Sequence, residues 1–134
     1  MKRLFLDDVR NPSDCTLYMI EPAIYREEWD VVRNYNDFVS YIEKNGVPDV
    51  ISFDHDLADE HYDPSMYESN KAYSEKSGLF KEKTGYDCVK WIAEYCVKNT
   101  IPFPISYVHS MNPVGRDNIR SVINSTNKIL SKVI

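Results

Sequence analysis

Acids and imidazoles stand in three short clusters, each closing an apolar run. Asp7-Asp8 follow Leu4-Phe5-Leu6, Asp54-His55-Asp56 follow Ile51-Ser52-Phe53, and His109-Ser110 follow Ile105-Ser106-Tyr107-Val108. Ionisable groups in a row cannot all be buried without losing hydration, so each cluster is expected where a strand leaves a sheet. Parallel strands would bring all three ends to one edge, the edge at which open α/β sheets bind ligands. Carboxylates crowded into one crevice repel each other. A hard divalent cation relieves that repulsion, and oxygen donors favour magnesium, with manganese as the alternative. Asp7, Asp8 and Asp54 are the candidate ligands, with Asp56 either a fourth ligand or an acid beside them. A turn or cap role would suffice for any one of these acids, but not for acids at two facing strand ends.

His55 and His109 are two of the three histidines in the chain. At convergent strand ends either one could give a proton to a leaving oxygen near neutral pH, as phosphoester hydrolysis requires. They are the candidate catalytic groups together with Asp54. Beside them, Asn112-Pro113 reads as an N-cap followed by proline at the first helical position. The N-terminus of that helix offers unpaired N–H groups and a favourable dipole to an anion. Ser110, Asn112, Gly115 and Arg116 are therefore candidate phosphate-binding residues, with Gly115 permitting close approach and Arg116 supplying a fork of donors. Arg10, in the turn after the first acids, is a further candidate.

These residues need elements to hold them. Leu4-Phe5-Leu6, Trp29–Arg33, Asp49–Phe53 and Ile105–Val108 read as strands. A helix is expected after Asn36 as N-cap, with Phe38, Val39 and Ile42 inward and Gly46 as its stop. The strand–helix–strand succession forces parallel pairing. A second helix is expected from Thr84, with Asp87 completing a capping box and Cys88, Val89, Trp91, Ile92, Tyr95 and Cys96 as its apolar stripe, ending at Asn99. The last helix begins at Asn112 and buries Ile119, Val122, Ile123, Leu130 and Val133. Residues 16–20 resemble an extra strand, interrupted by Pro22. Residues 58–83 show no sustained period and are expected as a long loop, with an aromatic-bearing flap over the ligand as one use of it.

The chain has 134 residues with a formal net charge of −5, enough for one domain with a core of its own. The acidic balance argues against an extended nucleic-acid surface. No apolar run approaches membrane-spanning length, and no signal peptide precedes the first strand. Cys15, Cys88 and Cys96 are odd in number and lack paired spacing, which fits reduced thiols in a cytoplasm. The oligomeric state is not legible.

The runs Leu4 to Pro12, Ile51 to Leu57, Thr84-Gly85-Tyr86-Asp87 and Val108 to Arg116 together resemble the cyclic-phosphate processing receiver-like family, relatives of response-regulator receiver domains. The resemblance covers roughly residues 1–12, 29–57 and 84–120. Residues 13–28 and 58–83 fall outside it, as insertions in a single domain spanning 1–134. It implies an α/β, receiver-like (flavodoxin-like) three-layer sandwich with a short, mainly parallel sheet, truncated after the fourth strand and its helix. It implies that Asp7, Asp8 and Asp54 bind magnesium and that Ser110 takes the place of the receiver Ser/Thr. The expected function is metal-dependent hydrolysis of a cyclic phosphate on a nucleotide or RNA-derived product. The alternatives are a non-enzymatic module that binds a phosphorylated nucleotide, and a degenerate receiver that accepts phosphate on Asp54. The expected partner is a small nucleotide or cyclic phosphate.

Overall fold

The computed structural model describes residues 1–19, 22–58, 61, 69 and 82–133. Strand β1 (Arg3–Leu6) is followed by two 3-10 helices, Pro12–Leu17 and Pro22–Arg26. Then come β2 (Asp30–Val32), α1 (Tyr35–Asn45), β3 (Val50–Phe53), α2 (Gly85–Asn99), β4 (Ile105–Val108) and α3 (Pro113–Val133). The strands form one parallel sheet in the order β2-β1-β3-β4, the flavodoxin-like order. Among the described residues no helix is long and apolar enough to cross a membrane.

Period-two alternation assigns the sheet residues to two different environments. Leu4, Leu6, Ile51, Phe53 and Val108 pack with α1, α2 and α3, through Phe38, Ile42, Val89, Ile92, Ile119 and Ile123 among others. Phe5 packs instead with Cys15 and Tyr25, flanked by Met19, Ile24, Trp29 and Tyr107. The third layer of the sandwich is thus built from the two 3-10 turns, where a receiver-like fold leads one to expect a helix.

The helix ends follow their capping chemistry. Thr84 and Asp87 form the expected capping box, and Gly46 closes α1 at φ 85°. Asn112 Oδ1 accepts the Gly115 N–H at 3.0 Å, as an N-cap does. Three expectations are corrected. The first concerns residues 16–19, which are not strand: Pro12 starts a 3-10 turn, in which Asp14 Oδ2 accepts the Asn11 N–H at 2.8 Å. A proline at the first helical position and a local acceptor outweigh the largely apolar run. The second is the cap of α1, which is Asn34 and not Asn36, because Asn34 Oδ1 accepts the Asp37 N–H at 2.8 Å. The third is in α3, where Val133 is 62% exposed, so the buried face ends at Leu130.

The expected flap over the ligand falls on residues 58–83, most of which lie outside the described residues. Its base is described. His61 is fully buried; its Nδ1 accepts the Leu57 N–H at 2.8 Å, so Nε2 carries the hydrogen given to the Glu82 carbonyl at 2.8 Å. One imidazole therefore ties the departure of the segment to its return.

Candidate metal centre

The sheet register brings the chemistry together. Leu6 is level with both Val32 and Phe53, and Phe53 with Val108. The residue after each of Leu6, Phe53 and Val108 is then Asp7, Asp54 or His109, and the ladder runs one step further to fix them. Asp7 N–H donates to Val32, Asp54 N–H to Leu6 and His109 N–H to Phe53, at 3.2, 3.0 and 3.0 Å. By alternation all three side chains share the face of Phe5, Ser52 and Tyr107. β1 and β3, which carry the two acids, flank the point where the strand order reverses, the usual ligand crevice of such sheets.

Asp7, Asp54 and His109 are all buried, and one ligand atom from each lies within 4.8 Å of the others. Their hydrogen bonding is unequal. Asp7 Oδ1 accepts the N–H groups of Val9 and Arg10 at 2.9 and 2.8 Å, and Oδ2 accepts from His109 Nε2 at 3.1 Å. Arg10 Nε stands 3.5 Å from the same oxygen. Asp54 Oδ1 accepts the His55 N–H at 2.9 Å, whereas Oδ2 is buried without a partner among the described residues. A buried carboxylate oxygen beside another carboxylate is a costly arrangement without a cation. The donor set and the orphaned oxygen therefore fit a divalent metal ion held between Asp7 and Asp54.

The titration behaviour follows from the same contacts. Burial works to raise the Asp7 carboxyl, but the bonds from His109, Arg10 and Val9 outweigh it and hold the group at about 2. Asp54 is pushed well above the ordinary carboxylate range, by burial first and by the Asp7 charge second. His109 is lowered by burial, against the pull of Asp7. Burial also opposes the charge on Arg10, and the Asp54 and Asp7 charges more than restore it.

His109 is held from both sides. An ionised Asp7 can only accept, so His109 Nε2 carries the hydrogen and Nδ1 of the neutral ring accepts. The donor is Ser52 Oγ at 2.7 Å, which in turn accepts from the Tyr25 hydroxyl at 2.8 Å. The ring stacks on Phe5 at 4.4 Å and 7°. Tyr18 closes the outside: its hydroxyl donates to the His109 carbonyl at 2.9 Å and accepts from Arg10. Tyr18, Tyr25 and Ser52 were not singled out in the sequence. Ser52 could have been, as the polar residue of a wholly buried strand, two positions before Asp54.

The other expected site residues lie around this centre. Asp8 is half-buried and lies outside the group of three. Asp56 accepts from His55 Nδ1 at 2.7 Å and from Asn112 Nδ2 at 3.4 Å. His55 is fully buried under the start of α3, where a Cβ on Gly115 would come within 2.5 Å of its ring. The close approach at Gly115 is thus to an imidazole. Gly85 is tighter still: a Cβ there would sit 1.7 Å from the Asp54 carbonyl oxygen, so only glycine lets α2 start against the site. Ser110 Oγ accepts the Asn112 N–H at 3.1 Å. Ser110 and Arg116 meet on the wall of a cleft of about 600 Å³ beside β4, which Tyr18 and Tyr25 also line.

A parallel α/β sheet in flavodoxin-like order, with acids at its switch point, defines a receiver-like domain. The family model for the cyclic-phosphate processing receiver domain matches residues 2–125, and the chain belongs to that family. Comparison with curated proteins and with solved structures gave no match.

Proposed function

We propose that the protein hydrolyses a cyclic phosphodiester to a monoester with a divalent cation, magnesium or manganese, held by Asp7 and Asp54. The observation that carries this reading is the unpartnered, buried Asp54 Oδ2 facing a fixed, ionised Asp7, in a chain of the cyclic-phosphate processing family. With His109 Nε2 engaged by Asp7, the donors left for a cation are oxygens, which favours hard ions. Bound there, the cation would supply Lewis acidity to the phosphoryl group. Arg10 holds Asp7 in place and adds positive charge beside the acids. Ser110 and Arg116 hold the phosphate from the cleft wall.

Of the two histidines, His109 is the one inside the acid cluster, and proton transfer is assigned to it. Nε2 is the atom that would hand its proton to the leaving oxygen, and Ser52, itself held by Tyr25, keeps the ring in the tautomer that carries the hydrogen there. His55, bonded to Asp56 and covered by Gly115, shapes the start of α3.

The test is product analysis on a panel of 2′,3′-cyclic nucleotides, other cyclic mononucleotides and ADP-ribose cyclic phosphate, with and without magnesium or manganese. The expected outcome is cation-dependent monoester formation that Asp54→Asn abolishes. A wild type that opens none of these with either ion removes the proposal.

A further inference from the structure

The cleft beside β4 is larger than a phosphate needs. At about 600 Å³ it is in the range of pockets that enclose a small organic ligand. Tyr18, Tyr25 and Tyr107 line it together with Arg116, Arg120 and Asn124 of α3. Arg116 and Arg120 stand four residues apart, a spacing at which like charges on a helix repel. Neither is in a salt bridge among the described residues, and Arg116 Nε is buried without a hydrogen-bond partner. The chain as a whole is acidic, so two uncompensated arginines beside an aromatic wall are a local feature that points to an anionic ligand.

We propose that this cleft holds the non-reacting part of the substrate, and that the substrate is a nucleotide bearing a second phosphate remote from the one that reacts. This rests on the cyclic-phosphate reading above and adds a subsite to it. Asp7, Asp54 and His109 are not themselves on the cleft wall; Ser110, which follows His109 in the chain, and Arg116 take the reacting phosphate. Four residues of helix advance about 6 Å, so Arg120 serves a second position further along. Tyr25 is buried and stacked on Trp29, so the ring surface left for a base is that of exposed Tyr18 and half-buried Tyr107, and the Asn124 amide both donates and accepts. A neutral or singly charged cyclic ester would leave Arg120 unused.

Calorimetric titration of the full chain with adenosine 3′,5′-bisphosphate and with adenosine 3′-monophosphate tests this, in buffer with and without magnesium. The wild type is expected to bind the bisphosphate about tenfold more tightly, as one additional charge-assisted contact provides. Arg120 is exposed, so Arg120→Ala leaves the fold intact and is expected to remove that margin. Arg26→Ala, an exposed arginine outside the cleft, is expected to keep it. Equal affinity for the two probes in the wild type, no binding of either, or a margin that survives Arg120→Ala overturns the proposal. No turnover enters these measurements. A chain that opens no cyclic phosphate yet keeps an Arg120-dependent margin loses the proposed reaction and retains the subsite. A chain that opens cyclic phosphates without that margin does the reverse.

Discussion

The two faces of the sheet are made from alternate residues of the same strands and do opposite things. Leu4, Leu6, Ile51 and Phe53 meet three α-helices in an apolar core. Phe5, Ser52 and Tyr107, one residue away in each case, meet two 3-10 turns through aromatic rings and a hydrogen-bond chain. The second face continues past the strand ends into Asp7, Asp54 and His109, while the first stops at Leu6, Phe53 and Val108. The separation matters because Asp54, buried beside the Asp7 charge, destabilises the fold where it stands, and the apolar face supplies the stability that tolerates it. Stability and chemistry are thus divided by parity along the strand, and neighbouring residues can be used to test the division.

Phe53 carries the largest expected effect. It is fully buried on the helical face, and Phe53→Ala is expected to cost about 3–5 kcal/mol. Against a typical total of about 5–15 kcal/mol that is a large share, measurable by urea unfolding. A loss under about 1 kcal/mol would mean that the helical face is not where the stability lies.

Ser52, the preceding residue, is expected to separate the faces. Ser52→Ala leaves His109 Nδ1 and the Tyr25 hydroxyl without each other's bridge, at a cost of about 1–3 kcal/mol, less than at Phe53. Its distinguishing effect is on the centre. His109 orients Asp7 through Nε2, and loss of such a supporting contact typically weakens a metal site about 10- to 100-fold. Divalent-cation titration of Ser52→Ala and of Ser52→Thr, which restores the hydroxyl, would check this. Unchanged cation affinity in Ser52→Ala would show that the chain from Tyr25 is only packing.

The helical face was legible in the sequence and the other face was not, for a physical reason. Helices announce themselves through repeating apolar positions and caps, and Thr84 with Asp87, Gly46 and Asn112 with Pro113 each marked a boundary the structure keeps. The strand ends were legible because a carboxylate is too costly to carry into an apolar layer, so Asp7 and Asp54 mark where that layer stops. The 3-10 turns are too short to show a period, so residues 13–28 read as an insertion. Their partners are also remote in sequence: Tyr18 reaches the His109 carbonyl and Tyr25 reaches Ser52. No local pattern encodes such contacts. The pairing of Asp56 with His55 and Asn112 was hidden similarly, since adjacent acids at a strand end give no sign of which one turns toward the sheet.

The remaining expected effect, spread over several pH units, tests the cost of the chemistry directly. Asp54 is buried, and its folded-state pKa is raised well above the ordinary value of 3.8. A raised acid pKa means that the fold prefers the protonated form. The stability tied to Asp54 is therefore fully present below about pH 4 and is lost as pH rises through the folded-state value. Asp54→Asn keeps the shape and does not titrate. Without metal, the variant and the wild type are expected to unfold at similar temperatures near pH 4. The variant should then gain an advantage toward neutral pH, by no more than about 1.4 kcal/mol per pH unit. Added magnesium or manganese should reverse the order, because only the wild type offers the ion both carboxylates, Asp7 and Asp54, and binding to the native state alone raises its stability. Thermal unfolding across pH, with and without cation, gives both readouts. A difference that is flat in pH would place Asp54 in an environment less hostile than its burial beside Asp7 implies. A wild type that gains nothing from either cation would leave the acid pair without the ligand that accounts for it.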